Sequence, residues 1–101
     1  MYTLKQLAAH DGSDPALPIL LAVGGNVFDV TEGKRFYGPG GPYSCLAGKA
    51  CTRALAKWSL DPADINDDGV SDEERLEAVR MYAEKYPVVG HLADTTRSRP
   101  I

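Results

Sequence analysis

The run ILLAVGGNVFDVTEGKRFYGPGGPY, from Ile19 to Tyr43, carries most of the signal for the fold. Its first residues, Ile19 to Val23, are apolar without a break, and at that length they read as a buried strand. Gly24-Gly25-Asn26 supplies a tight turn, and Val27, Phe28 and Val30 resume as a second strand, so the two form a hairpin. After Thr31-Glu32-Gly33 comes FYGPGGPY, Phe36 to Tyr43, which sets three glycines and two prolines between aromatic residues. That composition excludes regular structure.

Outward from this stretch the pattern is helical. Upstream, Thr3 and Gln6 have capping-box spacing, Leu4, Leu7 and Ala8 make an apolar stripe, and Asp11-Gly12 ends it. Downstream, a helix is expected from Ser44, with Ala47, Cys51, Ala54, Leu55 and Trp58 on its inward face. Leu60 to Gly69 reads as an acidic loop. Ser71 and Glu74 repeat the capping box, and Leu76, Val79, Ala83 and Tyr86 stripe a last helix that Pro87 stops. Val88 and Val89 add a short strand, and the tail from Thr95 reads as loose. The order predicts an α+β domain with a small mixed sheet and helices grouped on one side, one unit over residues 1–101 with its ordered core at about 2–93.

At 101 residues and 10.9 kDa, two independent cores would each be too small to hold. A chain that is 44% hydrophobic and 25% charged, with two cysteines, is neither a disordered tail nor a disulfide-dense scaffold. The net charge of -3 argues against nucleic acid, which asks for a basic face. No run approaches the roughly 20 apolar residues of a membrane-spanning helix. The start, MYTLKQLAAH, lacks the basic lead and apolar core of a signal peptide. The expected location is therefore cytoplasmic. Cys45 and Cys51, six apart in a segment read as helical, point to different faces and are expected to stay unpaired.

Candidate chemistry gathers at a few places. The glycine loop lacks both a Lys-Ser/Thr ending and GxGxxG spacing, so it is no phosphate cradle. It does hold Tyr37 and Tyr43 between Gly and Pro, and a rigid loop can aim side chains into a pocket. Spacing alone favours these tyrosines as covers of the core rim. Lys85 sits where a helix dipole favours a cation and Tyr86 fits the apolar stripe, so spacing reads that pair as structural. Asp64, Asn66, Asp68 and Gly69 match the first half of a calcium loop, but Arg75 stands where a bidentate Glu is needed. A solvated loop is the expectation there. His10 and His91 have neither zinc-ligand spacing nor a nucleophile nearby, so hydrolytic catalysis lacks support.

Taken together, Ile19 to Tyr43, LAGKACTRALAKWSL from Leu46 to Leu60, EKYPVVGHL from Glu84 to Leu92 and the DGSDP of Asp11 to Pro15 resemble one family. It is the membrane-associated progesterone receptor group of cytochrome b5-like domains. The resemblance implies a cytochrome b5-like fold whose helices form a haem cleft, and haem b (iron protoporphyrin IX, ferric) as cofactor. Cytochrome b5 itself holds haem between two histidines, the first within His-Pro-Gly-Gly. This chain has Tyr-Gly-Pro-Gly-Gly-Pro-Tyr instead. In the receptor group the closing tyrosine is the axial ligand, which falls on Tyr43. The opening tyrosine, Tyr37 here, hydrogen-bonds that ligand, and the late Lys-Tyr pair, Lys85 and Tyr86, contacts the haem. A phenol ordinarily holds its proton to about pH 10, so such a ligand is deprotonated by the ferric charge. Lone phenolate ligation leaves the iron five-coordinate and at low potential.

Departures from the family pattern are visible too. Ala78 stands where the family usually has a tryptophan, and Trp58 is a candidate to refill that space. No membrane anchor of the kind many relatives have is expected in this stretch, which leaves peripheral attachment at endomembranes as the alternative to a free cytoplasmic protein. The leading reading is a non-enzymatic haem-binding protein: a carrier or sensor, or a partner and regulator of haem-thiolate mono-oxygenases of sterol metabolism. The second is a haem-independent module for a steroid or another apolar ligand. The third is an electron-transfer protein or a recruited biosynthetic enzyme, and the lack of a second axial ligand weighs against simple electron transfer. With one haem face open, a monomer without haem and a haem-dependent homodimer are expected.

Overall fold

The computed structural model describes residues 2–67 and 69–93. The hairpin lies where the sequence puts it: β1 (Leu20–Val23) pairs antiparallel with β2 (Asn26–Asp29), Leu21 opposite Phe28 and Val23 opposite Asn26. Gly24 and Gly25 make the turn with φ of +58° and +85°, the left-handed values that a two-residue hairpin turn of this hand requires. Gly24 is constrained a second time, because a side chain there would strike Val79. β3 (Val88–His91) pairs with the other edge of β2 across a bulge between Val27 and Phe28, giving the order β1-β2-β3. This sheet is antiparallel. The parallel pairing of the expected mixed sheet is confined to two isolated bridges, Ala22 with Ala50 and Tyr2 with Leu92.

β1 is buried along its whole length because both faces of the sheet are covered. Side chains alternate across a strand, so Leu21, Val23 and Phe28 face the main core while Leu20, Ala22 and Val27 face a smaller cluster closed by Leu7. Leu7 is the one buried residue of α1 (Leu4–Ala8), whose capping box joins Thr3 and Gln6 at 2.9 and 3.0 Å. Leu4 and Ala8, expected on the same stripe, are exposed. A helix of a turn and a half docks through a single side chain.

The helix expected to run from Ser44 is broken in two. A 3-10 turn covers Ser44–Leu46, the chain opens at Ala47, and α3 spans only Thr52–Lys57. The edge of β1 is the cause. Gly48 N–H donates to Leu20 O at 2.7 Å, Ala22 N–H to Lys49 O at 3.0 Å, and Cys51 N–H to Ala22 O at 3.0 Å. Sheet-edge groups thus take the hydrogen bonds that a helix would have used internally. Ala47, Cys51 and Ala54 are buried as expected, and Cys45 and Cys51 are both free thiols. Trp58, by contrast, is 83% exposed at the end of α3.

α4 (Asp72–Ala83) starts at the predicted capping box, with Ser71 and Glu74 joined at 3.0 and 3.1 Å. Its buried residues are Ala78 and Tyr82, with Val79 and Tyr86 packed beside them. Leu76, placed on the inward stripe by the periodicity, is 58% exposed, and Ala83 is exposed as well. The helix is turned by about one residue from the expected face, because it must lie against β1, β2 and α3 together. The tail from Thr95 lies outside the described residues.

Candidate ligand-binding cleft

A short helix, α2 (Lys34–Tyr37), ends at Gly38 and leads into the glycine loop. Phe36 and Tyr37 therefore belong to a helical turn, and irregular chain begins only at Gly38. The loop folds back on itself: Gly41 N–H donates to Gly38 O at 2.9 Å and Tyr43 N–H to Phe36 O at 2.8 Å. The second of these sets Tyr43 beside α2, with its ring centroid 5.9 Å from that of Tyr37.

α2, the loop, the end of α3 and the end of α4 enclose a cleft of about 440 Å³, within the usual range of roughly 300–1,000 Å³ for small-molecule sites. Tyr37, Tyr43, Lys85 and Tyr86, the four residues that the sequence could not move beyond a structural reading by spacing alone, all line it. Their situations differ. Tyr43 is 41% exposed, whereas Tyr37 is 6% exposed. Lys85 is exposed and brings a cation to the wall. Leu46, Leu55, Leu60 and Met81 give the rest of the lining an apolar character.

The hydroxyl of Tyr37 bonds that of Tyr82 at 2.5 Å. Tyr37 also makes a ring contact with Tyr43, the residue that the resemblance gives as its hydrogen-bond partner. Burial raises the pKa of Tyr37, partly offset by the bond from Tyr82, and burial followed by that same bond raises the pKa of Tyr82. Both phenols stay neutral. Sequence reading missed Tyr82, although it lies four residues from both Ala78 on α4 and Tyr86 just beyond that helix. The spacing Ala78-Tyr82-Tyr86 was the signal for the true inward face.

Four of the chain's five tyrosines meet at this cleft. Tyr86 lies edge-on to Tyr37 at 6.2 Å and tilted against Tyr82 at 5.8 Å, separations typical of favourable aromatic pairs. Its hydroxyl rests over Gly33, where a Cβ would come within 2.6 Å. The missing side chain at Gly33 lets the end of α4 close against the turn before α2.

Other candidate residues have structural roles. Asp64 bonds Arg53 at 2.8 Å, which holds its carboxyl below the usual range, and Asp67 accepts from Thr52 N–H at 3.0 Å. The acidic loop therefore spends these carboxylates on α3; Asp68 lies outside the described residues. Among the described residues no group of three or more His, Cys, Asp or Glu could hold a metal ion. His10 is tied through Nδ1 to Pro18 O at 2.9 Å. Trp58 does not refill the space over Ala78. It flanks a hollow of about 350 Å³ there, with Leu55, Met81 and three glutamates, Glu73, Glu74 and Glu77.

The donor set fits a haem. A phenol is one of the side chains that hold haem iron, and Tyr43 is the most exposed of the tyrosines lining this cleft. Fold and cleft together define a small binding domain of the cytochrome b5 type, and the comparisons agree. The chain belongs to the family described as cytochrome b5-like heme/steroid binding domain, which matches residues 3–93. It is 46% identical over 100 residues to membrane-associated progesterone receptor component 2 of Homo sapiens, covering 90% of this chain and 44% of that one. It is 44% identical over 94 residues to membrane steroid-binding protein 2 of Oryza sativa subsp. japonica, covering 87% of this chain and 35% of the relative. This chain thus spans less than half the length of those two proteins. Among solved structures, an Arabidopsis thaliana protein with a cytochrome b5 like fold matches with a TM-score of 0.78 at 41% identity, over 91% of this chain and 89% of the other. Among the described residues no helix is long and apolar enough to cross a membrane.

Proposed function

We propose that this domain binds haem b in the cleft, with the Tyr43 phenolate as the lone iron ligand, and that it serves as a binding and partner module rather than an enzyme. The observation that carries the reading is the convergence of Tyr37, Tyr43, Lys85 and Tyr86, from three separate segments, on one apolar-walled cleft. When bound, the haem would supply a ferric centre able to take a small ligand or meet a partner. The chain's own residues do the rest. Tyr43 offers the anionic oxygen, Lys85 favours negative charge on it or on a propionate, and Tyr37 and Tyr86 wall the site with rings already packed against each other. A phenolate stabilises ferric over ferrous iron, which suits carrying, sensing or partner regulation better than fast electron transfer. Haem-thiolate mono-oxygenases of sterol metabolism are the proposed partners and the open haem face the proposed surface for a homodimer. The proposed location is cytoplasmic, with peripheral contact at endomembranes.

The second reading is a haem-independent site for a steroid or similar apolar ligand, favoured by the apolar wall and by the names of the relatives. A haemin titration followed by visible absorption, run beside Tyr43→Phe, decides between them. Saturable high-spin ferric binding that the substitution abolishes is the expected result. No specific binding by the parent protein would sink the haem reading, and equilibrium dialysis with labelled steroid then tests the second.

A further inference from the structure

We propose that the hollow over Ala78 is a side pocket of the cleft. The site seats a porphyrin with its propionates at Lys85 and its hydrocarbon edge toward Leu55, Trp58 and Met81, and the hollow beyond that edge lodges a long apolar chain on the ring. The ligand class is therefore ferric porphyrins that carry an isoprenoid chain on the edge opposite the propionates. The inference rests on the haem reading above and deepens it from the cofactor to the kind of porphyrin.

The cleft of about 440 Å³ and the hollow of about 350 Å³ share three residues, Leu55, Trp58 and Met81, in their linings. One wall therefore stands between them, and its side chains are apolar. The wall is also a yielding one. Trp58 is 83% exposed, so its indole gives up little packing when it moves. Met81 is half-buried and has an unbranched, flexible side chain that adapts to what it meets. Behind the wall, Ala56 and Ala78 line the hollow with side chains of a single methyl group.

Charge sets the direction. Lys85 lines the cleft and not the hollow, whereas Glu73, Glu74 and Glu77 line the hollow and not the cleft. Glu77 and Met81 lie four residues apart on α4, about 6 Å along one face. Lys85 follows four residues later, in the turn that ends the helix, with its N–H bonded to Tyr82 O at 3.0 Å. The wall thus runs from acid through apolar to base. Haem b has the matching polarity, with propionates on one edge and vinyl groups on the other. Propionates set toward the glutamates meet like charge; set at Lys85 they meet a cation. The vinyl edge then faces Trp58 and Met81, and a chain that extends it passes into the hollow. Each methylene so removed from water raises affinity about fourfold.

The test titrates the protein with ferric haem b and with ferric haem o, in which a hydroxyethylfarnesyl chain replaces one vinyl group and nothing else differs. Affinities are read by visible absorption for the parent, Tyr43→Phe and Ala78→Leu. In the parent, haem o is expected to bind about tenfold tighter than haem b or better, the yield of two buried methylenes. Ala78→Leu fills part of the hollow and is expected to lower that ratio about fourfold or more, the loss of at least one. The ratio is the discriminating quantity, because general damage to the cleft weakens both porphyrins together. A parent ratio under about tenfold, or a fall under about fourfold in Ala78→Leu, overturns the proposal and leaves the haem reading standing. A parent that binds neither porphyrin, or a Tyr43→Phe that binds both as the parent does, overturns the haem reading and the proposal with it. Ala78 is buried, so should Ala78→Leu fail to fold, Ala56→Leu fills the hollow from α3 instead. It must lower the ratio in the same way, and an unchanged ratio refutes the side pocket.

Discussion

Gly33→Ala adds one methyl group outside the cleft and is expected to weaken haemin binding without unfolding the protein. The backbone at Gly33 has φ of -98°, which alanine adopts without strain. The new Cβ, however, meets the Tyr86 hydroxyl at 2.6 Å, so that oxygen must retreat by about 0.8 Å to reach ordinary contact at 3.4 Å. Tyr86 is a rigid ring, and its displacement tilts one wall of the cleft. Two small effects compete in the folded protein: alanine gains about 0.4–1 kcal/mol from the stiffer unfolded chain, and an off-rotamer tyrosine costs about 0.5–1.5 kcal/mol. The net change stays within about 1 kcal/mol, or about 4–8 °C of melting temperature for a domain of this size. In the bound state the displaced ring acts as overpacking, which costs about 1–3 kcal/mol, so haemin affinity falls roughly fivefold to 150-fold. Haemin titration and thermal denaturation of the same sample measure both quantities. Tyr86→Phe removes the oxygen that the methyl strikes, so Gly33→Ala costs less affinity in that background than in the parent. Affinity within twofold of the parent for Gly33→Ala alone would refute the idea that Tyr86, seated over Gly33, shapes the cleft.

Leu7→Ala should cost about 2.7–5 kcal/mol, since Leu7 is fully buried and is the anchor of α1. Because it lies across the sheet from the cleft, haemin affinity of the folded fraction should hold; guanidinium unfolding and a titration below the melting point check both halves. Ser71→Ala removes the side-chain cap of α4 and should cost about 1 kcal/mol by the same unfolding assay. Trp58 holds φ of +54° while 83% exposed; Trp58→Gly should therefore raise stability by about 0.5–1 kcal/mol yet weaken haemin binding, because Trp58 lines the cleft. In acid, the depressed carboxyl of Asp64 contributes stability that is complete above the unfolded value of about 4. That contribution is lost as pH falls through the lower folded value, since there the unfolded chain binds the extra proton. Asp64→Asn should accordingly flatten the decline of melting temperature below pH about 4.

Much of the fold is legible in short windows. The apolar run of Ile19 to Val23, the Gly24-Gly25 turn and the capping pairs Thr3/Gln6 and Ser71/Glu74 act over five residues or fewer. Their conformations follow from local sterics and local hydrogen bonds. The site was legible in a different way. Spacing favoured a structural reading of Tyr37, Tyr43, Lys85 and Tyr86, and only the likeness to the progesterone receptor group grouped them as one proposed site. Periodicity misled at Ser44 and again on α4. In the first case a helical pattern lost to the unpaired edge of β1, which took the backbone bonds of Gly48 to Cys51. In the second, two registers of the same helix were nearly equal in apolar content.

The sequence by itself determined the strands, the hairpin turn and the starts of α1 and α4, and through its glycine loop and Lys-Tyr pair it pointed to the family. Tertiary structure alone decided which face of α4 turns inward, that Trp58 stays outside, and that Tyr82 reaches Tyr37 across the chain. The division has a physical origin. A cap or tight turn is stable or unstable on its own few residues, whereas the choice of a buried face depends on what lies opposite, and no local window contains that information.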